Sequence, residues 1–162
     1  MNPEIRAMFT ASAGRYPTKA EQALLRDWAG RVDQRLAALE ELRSHEEQII
    51  RDTVDEVMRT YPDFERRYPS GRARATRDIT LTLRYCGQAM LRADLKFLED
   101  ELLLWMSTML RGVALTAKFI EDTYVILRRA CKNDLSKESF ELVRPALELC
   151  VSVLPGKREA SA

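Results

Sequence analysis

Residues 72–86, RARATRDITLTLRYC, decide the fold class, because their apolar side chains recur at the spacing of a helix. Four of these residues lie three or four positions apart and so share one helical face: Ala75, Ile79, Leu83 and Cys86. Arg77 and Asp78 lie beside that face. The stretch predicts an amphipathic helix, and it leaves open what an aspartate next to the core-facing side chains binds.

The rest of the chain has the same helical period, and no segment alternates apolar and polar residues as a strand does. Thr18 with Glu21 forms a capping box that predicts the start of a long helix, and Ser44 with Glu47 predicts a new start or a bend. We expect a loop over 63–75 and helices over the following stretches: about 3–12, 19 to Pro62, the opening stretch to about Arg92, 94–112, 113–131 and about 136–154, the last bent at Pro145. The sequence therefore predicts a single all-α domain over residues 1–162.

Two apolar faces predict where these helices bury side chains. The first long helix carries Leu24, Leu25, Trp28, Val32, Leu36 and Leu39 on one side. The segment 97–110 differs from the others, because residues 102–106 are all apolar and include Trp105. A helix with so much apolar surface is either central to the core or pressed against a partner, and the two can hold together.

Composition excludes several classes of protein. The 162 residues are 46% hydrophobic and 31% charged with a net charge of +1, which is typical of a soluble globular domain and gives no reason to expect nucleic-acid binding. No apolar run approaches the roughly 20 residues of a transmembrane helix, and the first residues do not resemble a signal peptide. We therefore expect a protein of the cytoplasm.

No pattern of catalytic or metal-ligating residues is present. His45 is the single histidine, and it lies in a polar SHEEQ stretch without the partner of a zinc motif. Cys86, Cys131 and Cys150 are widely spaced, which predicts buried thiols in a reducing compartment rather than disulfides. We therefore predict no catalytic residues, no metal site and no enzymatic activity.

Four stretches resemble the phycobilisome proteins, the phycocyanin and allophycocyanin subunits, in order and spacing. They are AGRYPTKAEQALL, HEEQIIRDTVDEVMRTYPD, RDITLTLRY and AMLRADLKFLED, and the resemblance covers about residues 8–154. It implies a globin-like helical domain preceded by two extra N-terminal helices. Haem is disfavoured in such a fold here, because no histidine lies on a predicted core helix to ligate iron.

The resemblance also implies a pigment site, which this sequence alters. In the family, a Cys-x-Arg-Asp motif attaches a linear tetrapyrrole, the bilin, through a thioether, while the aspartate accepts hydrogen bonds from the pyrrole nitrogens and the arginine binds a propionate. The matching stretch here is ATRD, which retains Arg77 and Asp78 but has Ala75 in place of the cysteine. Cys86 cannot substitute, because it lies roughly 16 Å further along the helix.

No covalent bilin is therefore expected, whereas a noncovalently bound bilin remains an alternative. The loop before the motif is also shorter than in the family. Asp78 is then a remnant of the bilin pocket, the acceptor for a loosely held tetrapyrrole, or a hydrogen-bond partner of a neighbouring helix.

Association is the second property that the resemblance implies. Family subunits pair through their N-terminal helices, and an aspartate of one subunit meets an arginine of the other. The arginine matches Arg84, but the aspartate position falls near Ala11 and is uncharged. We expect residues 1–43 to serve association, with these contact residues: Ile5, Met8, Phe9, Tyr16, Trp28, Arg84 and Trp105.

These observations favour a non-enzymatic, phycobilisome-related protein that acts as an interaction, regulatory or assembly module in a cyanobacterium. A carrier or sensor that binds a bilin noncovalently is the alternative. Expected partners are a second copy or a related phycobilisome-type subunit, and beyond them components of the phycobilisome or a photosystem. Such partners would place the protein in the cytoplasm, including the cytoplasmic face of thylakoid membranes.

Overall fold

The computed structural model describes residues 2–156, and every regular element in that range is a helix. Residue 1 and residues 157–162, which the predicted domain 1–162 includes, lie outside the described residues. The helices are α1 (Pro3–Ala11), α2 (Lys19–Gly30), α3 (Val32–Thr60), α4 (Phe64–Arg67), α5 (Gly71–Arg92), α6 (Leu95–Leu98), a π-helical segment (Glu99–Leu103), α7 (Leu104–Gly112), α8 (Ala117–Asp134) and α9 (Lys137–Val153). The prediction of an all-α fold is confirmed.

Four long helices, α3, α5, α8 and α9, pack together and form most of the hydrophobic core. Each contributes side chains that are fully or almost fully buried, such as Ile49, Leu83, Leu127 and Leu147. Burying an aliphatic side chain of this size contributes about 1.5–3 kcal/mol each, so this core supplies the main stabilisation of the fold.

Capping residues fix several helix starts where the sequence predicted them. The Thr18 side chain accepts a hydrogen bond from the Glu21 backbone N–H, and the Glu21 carboxylate accepts one from the Thr18 backbone N–H at 2.6 Å. Asp94 caps α6 by accepting a hydrogen bond from the Phe97 backbone N–H at 3.0 Å. Each such cap is worth about 1 kcal/mol.

The second predicted helix start, at Ser44, is wrong. Helix α3 runs without interruption through Ser44, whose hydroxyl donates to the Glu41 carbonyl 2.8 Å away rather than capping a new helix. The chain instead breaks at Arg31, directly after Gly30 at the end of α2. The apolar stripe of α3 continues across Ser44 into the core, and this packing outweighs the local capping signal.

Other boundaries differ from the predictions by a few residues. The predicted loop over 63–75 contains the short helix α4, and α5 already begins at Gly71. Helix α8 starts at Ala117, where the Thr116 side chain accepts from the Phe119 backbone N–H, rather than near residue 113. Helix α9 contains Pro145 and continues on both sides of it.

One side of the apolar segment 97–110 packs into the core, and the other side is exposed. Leu102, Leu103 and Met106 are buried, whereas Leu104 and Trp105 are 53% and 55% exposed. The π-helical segment Glu99–Leu103 lies inside this stretch, between α6 and α7. Such segments occur often at functional sites in helices.

A carboxylate from α3 caps the last helix. Glu41 accepts hydrogen bonds from the Ser136 backbone N–H at 2.6 Å, from the Ser136 hydroxyl at 2.8 Å and from the Ser139 hydroxyl. These bonds lower the pKa of Glu41, with the Ser139 hydroxyl as the largest cause. The contact ties the start of α9 to the middle of α3 and places negative charge at a helix N-terminus, where it is favourable.

We predict that Glu41→Gln lowers the free energy of unfolding by about 1 kcal/mol at neutral pH, the size of a lost helix cap. Because the folded pKa of Glu41 lies below its ordinary value of 4.5, the stabilisation is present above that pH and is lost as the pH falls through the folded value. Urea unfolding from pH 7 to pH 3 should show the difference between the two proteins shrinking. Glu47→Gln on the exposed side of α3 is the control, and an equal loss in both variants would contradict the capping role.

Candidate functional site

A cleft of about 340 Å³ opens beside the first half of α5, between α4, α7 and α8. Its walls combine apolar and aromatic side chains with one polar edge, and they include Phe64, Ala75, Asp78, Trp105, Met109 and Tyr124. A concave, mostly apolar cleft with few polar groups is the usual form of a small-molecule site. The structure thus brings the predicted residues Ala75, Arg77, Asp78 and Trp105 to one place.

The polar edge is an ion pair between neighbours on α5. The Arg77 Nε donates to the Asp78 Oδ1 at 2.9 Å, and the same oxygen lies 2.8 Å from an Arg77 terminal nitrogen. The Arg77 side chain is 73% exposed and the Asp78 side chain 23%. Within residues 2–156, the Asp78 side chain forms no hydrogen bond to a neighbouring helix. The structure therefore gives no support to the expectation that Asp78 is a hydrogen-bond partner of such a helix.

Aromatic rings close one side of the cleft. The Phe64 ring stacks on Phe119 with centroids 4.6 Å apart, and Tyr68 lies 5.1 Å from Phe64. Tyr61 meets Phe119 edge-on at 4.9 Å, so one aromatic wall is continuous from α3 to α8. Gly71 is required beneath it, because a Cβ there would lie 2.7 Å from the Phe64 ring.

Sequence reasoning missed this wall. The aromatic residues occur at positions 61, 64 and 68, the three- and four-residue spacing that could have indicated it. Because the sequence predicts a helix end at Pro62 and a loop over 63–75, the spacing of these residues did not indicate that their rings pack together.

Tyr124 lies at the inner end of the cleft and was also missed. Its hydroxyl lies 3.4 Å from the Thr82 hydroxyl and 3.5 Å from the Met106 sulfur. Burial raises the pKa of Tyr124 far above its ordinary value, so the phenol stays protonated at physiological pH. The group can therefore donate a hydrogen bond but cannot serve as a base.

No cysteine lines the cleft. Ala75 occupies the position that the resemblance assigns to the attachment cysteine, and a methyl group offers no nucleophile. Cys86, Cys131 and Cys150 are all buried, which confirms the prediction of buried thiols. The Cys86 and Cys150 sulfurs touch at 3.5 Å, and their contact together with burial raises the pKa of Cys86.

Histidine, cysteine and carboxylate side chains do not cluster as metal ligands anywhere within residues 2–156. His45, predicted to lie near a helix start, is in the middle of α3, where its Nδ1 lies 2.9 Å from the Glu41 carbonyl oxygen.

The residues predicted for association divide into three groups. Ile5 and Met8 are already buried within the chain, at 1% and 6% exposure. Arg84 forms an ion pair with Glu46 of the same chain at 2.6 Å, so its charge is balanced without a partner. The remaining predicted residues keep exposed surface: Phe9, Tyr16, Trp28 and Trp105.

Helix α2 leaves an apolar face partly uncovered near the N-terminus. None of its residues is buried, and Leu24, Leu25 and Trp28 are only half-buried. Leu36, on the adjoining turn of α3, is 47% exposed. The apolar face predicted from the sequence exists, but the chain itself covers it only in part.

Comparison with known proteins identifies the family. No curated protein matches the sequence. Among the described residues, no helix is long and apolar enough to cross a membrane. The family model described as "Phycobilisome protein" matches residues 10–154, which is nearly the whole chain and includes the cleft. With its all-α, globin-like fold, the chain belongs to the phycobilisome protein family.

Proposed function

We propose that this protein is a phycobilisome subunit without a covalent bilin that acts as an interaction, regulatory or assembly module for light-harvesting or photosystem complexes. Its family gives it a phycobilisome-related role, and phycobilisome proteins are light-harvesting structural proteins rather than enzymes. The proposal that no covalent bilin is attached rests on one observation: the cleft is present, and Ala75 lines it at the position that the resemblance assigns to the attachment cysteine. Without a sulfur there, a thioether cannot form.

We predict that the wild-type protein, expressed together with bilin-synthesis enzymes and a bilin lyase, gives a denatured band without zinc-enhanced fluorescence. Ala75→Cys should restore the nucleophile at the cleft wall and yield a fluorescent band that maps to residue 75. Ala73→Cys, on the exposed side of the same helix turn, is the matched control and should stay dark. A fluorescent wild-type band mapping to Cys86, Cys131 or Cys150 would overturn the proposal.

A noncovalent bilin carrier or sensor is the second candidate, and the intact cleft supports it. Asp78 lines the cleft as an anionic acceptor, and Arg77 beside it supplies a mostly exposed guanidinium. Carboxylates accept strong hydrogen bonds from N–H donors such as those of a tetrapyrrole, and arginine pairs well with propionates.

If a bilin binds, Asp78→Ala should weaken the complex at least about tenfold or shift its absorption to the blue, because a charged hydrogen bond contributes about 1.5–3 kcal/mol. Arg77→Ala should weaken it less, since the guanidinium is largely solvated. Absorption titration with a free bilin measures both effects, and Asp52→Ala on α3 is the control. Spectra and affinities that match wild type in both cleft variants would leave Arg77 and Asp78 without a role in binding.

Association through the N-terminal helices is the third part of the proposal. We infer one domain over residues 1–162, in which residues 1–43 present the contact surface to a second copy or to a related subunit. The exposed apolar side chains of Phe9 and Leu36 support this. Such a subunit would work in the cytoplasm or at the cytoplasmic face of thylakoid membranes, bound to phycobilisome or photosystem components.

We predict that Phe9→Ser combined with Leu36→Ser reduces self-association without unfolding the protein, because both side chains are about half exposed in the monomer. Light scattering between 10 and 500 μM measures the effect as a lower average mass. Leu95→Ser on α6, outside residues 1–43 and 40% exposed, is the control. A double variant that associates as wild type does would exclude this surface.

A further inference from the structure

The charged side chains of the cleft are confined to one part of its wall. Arg74, Arg77 and Asp78 are the charged residues that line it, and all three lie in the first half of α5. Arg77 and Asp78 form an ion pair with each other. Arg74 is exposed, and within residues 2–156 its side chain forms no ion pair or hydrogen bond. This edge of the cleft therefore has one positive charge that is not compensated.

The walls of the cleft differ in exposure from one end to the other. Trp105 and Met109 of α7 are about half exposed, whereas Ile79 of α5 and Ile120 of α8 are buried. The cleft thus has an open mouth at the protein surface and a closed end in the core. Its volume of about 340 Å³ lies near the lower end of the range for small-molecule sites, about 300–1,000 Å³.

The hydroxyl groups at the closed end already have partners within the chain. The Thr123 hydroxyl donates to the Phe119 carbonyl at 2.8 Å. The Tyr124 hydroxyl lies 3.4 Å from the Thr82 hydroxyl and 3.5 Å from the Met106 sulfur. A polar ligand group at this end would lose its hydration and compete with these contacts, which is unfavourable. An alkyl chain loses no hydrogen bond there and is stabilised by burial.

We propose that the cleft binds a long-chain fatty acid, with its carboxylate at Arg74 and its alkyl chain between α5, α7 and α8. A molecule with one anionic end and an apolar body matches a cleft with one uncompensated cation at its mouth and an apolar interior. A peptide matches it less well, because every buried backbone N–H and C=O group needs a partner and the interior is mostly apolar.

The inference rests on the proposed absence of a covalent bilin, which leaves the cleft open to another ligand. It does not depend on the N-terminal surface.

Isothermal titration calorimetry measures binding of decanoate, dodecanoate and tetradecanoate, each below its micelle concentration. The protein is the full chain, expressed without bilin-synthesis enzymes and delipidated. One fatty acid should bind per chain, and the dissociation constant should fall about two- to fourfold for each added methylene, because burying a methylene contributes up to about that factor. Binding that does not saturate at one per chain, or an affinity that does not change with chain length, would overturn the proposal.

The carboxylate contact is tested with Arg74→Met and a neutral ligand of the same length, 1-decanol. Arg74→Met should weaken decanoate binding about two- to fivefold, the effect of a solvent-exposed ion pair, and should leave the affinity for 1-decanol unchanged. Arg26→Met on α2 removes another exposed arginine that has no side-chain partner within residues 2–156, and it should bind both ligands as wild type does. An equal loss for both ligands in Arg74→Met, or no loss for decanoate, would contradict a carboxylate at Arg74.

The position of the alkyl chain is tested with Ala75→Leu, which adds side-chain volume to the cleft wall. It should weaken dodecanoate binding about tenfold or more, because overfilling a packed site costs about that much. Ala73→Leu, on the exposed side of the same helix turn, is the control and should bind as wild type does. Circular dichroism verifies that both variants are folded.

Trp105 gives a second readout that does not depend on Ala75→Leu. The chain has two tryptophans, so Trp28→Phe leaves Trp105 as the reporter at the cleft. Its emission should shift to the blue as dodecanoate saturates the protein. An unchanged Trp105 emission at saturation would exclude this cleft as the site.

The results separate this inference from the proposed function. If no fatty acid binds and the wild-type band lacks zinc-enhanced fluorescence, the proposed function stands and the fatty-acid site falls. A wild-type chain with a covalent bilin in the cleft would overturn both, because the pigment would then occupy the site.

Discussion

The close crossing of α3 and α5 is the contact on which the rest of the structure depends. Gly87 permits it, because a Cβ at that position would lie 2.9 Å from a Leu39 methyl and 3.2 Å from one of Leu42. Next to the crossing, Arg84 of α5 pairs with Glu46 of α3, and the opposite side of α5 places Cys86 against Cys150 of α9. With α5 fixed in this way, its first half forms a wall of the cleft, and Ala75 and Asp78 face the cleft from it.

The cleft has the form of a small-molecule site, and the residues described along its wall include no thiol. Its aromatic wall rests on the ring stack of Phe64 and Phe119, and Gly71 makes room for that stack. Tyr124 closes the inner end as a protonated phenol, and the ion pair of Arg77 with Asp78 forms the outer edge. In this set Asp78 supplies an anionic hydrogen-bond acceptor, and Tyr124 supplies a protonated donor.

The two ends of the chain are stabilised differently. The C-terminal helices α8 and α9 are buried against α3, and Glu41 caps the start of α9 from across the core. The N-terminal helices contribute few core residues: α1 buries Ile5 and Met8, and α2 buries none. A helix that retains an apolar face outside its own core is suited to an interface. The exposed large apolar side chains lie among the N-terminal residues (Phe9, Tyr16 and Leu36) and in and around α7 (Leu95, Leu104, Trp105, Met109 and Val113).

The sequence by itself determined the helical fold, several helix starts and the absence of a cysteine from the ATRD stretch. Those properties are local: the 3.6-residue period, the capping side chains of Thr18, Asp94 and Ser136, and Ala75 in the ATRD stretch can all be read from neighbouring residues. Tertiary structure alone decided what depends on distant residues. The packing of α3 outweighed the capping signal at Ser44. The aromatic wall formed from residues on α4, on α8 and in the turn after α3, and Glu41 bonds to residues nearly a hundred positions away. The burial of Arg35, whose guanidinium donates to the Trp28 carbonyl at the end of α2, is likewise a property of the assembled helices rather than of the segment.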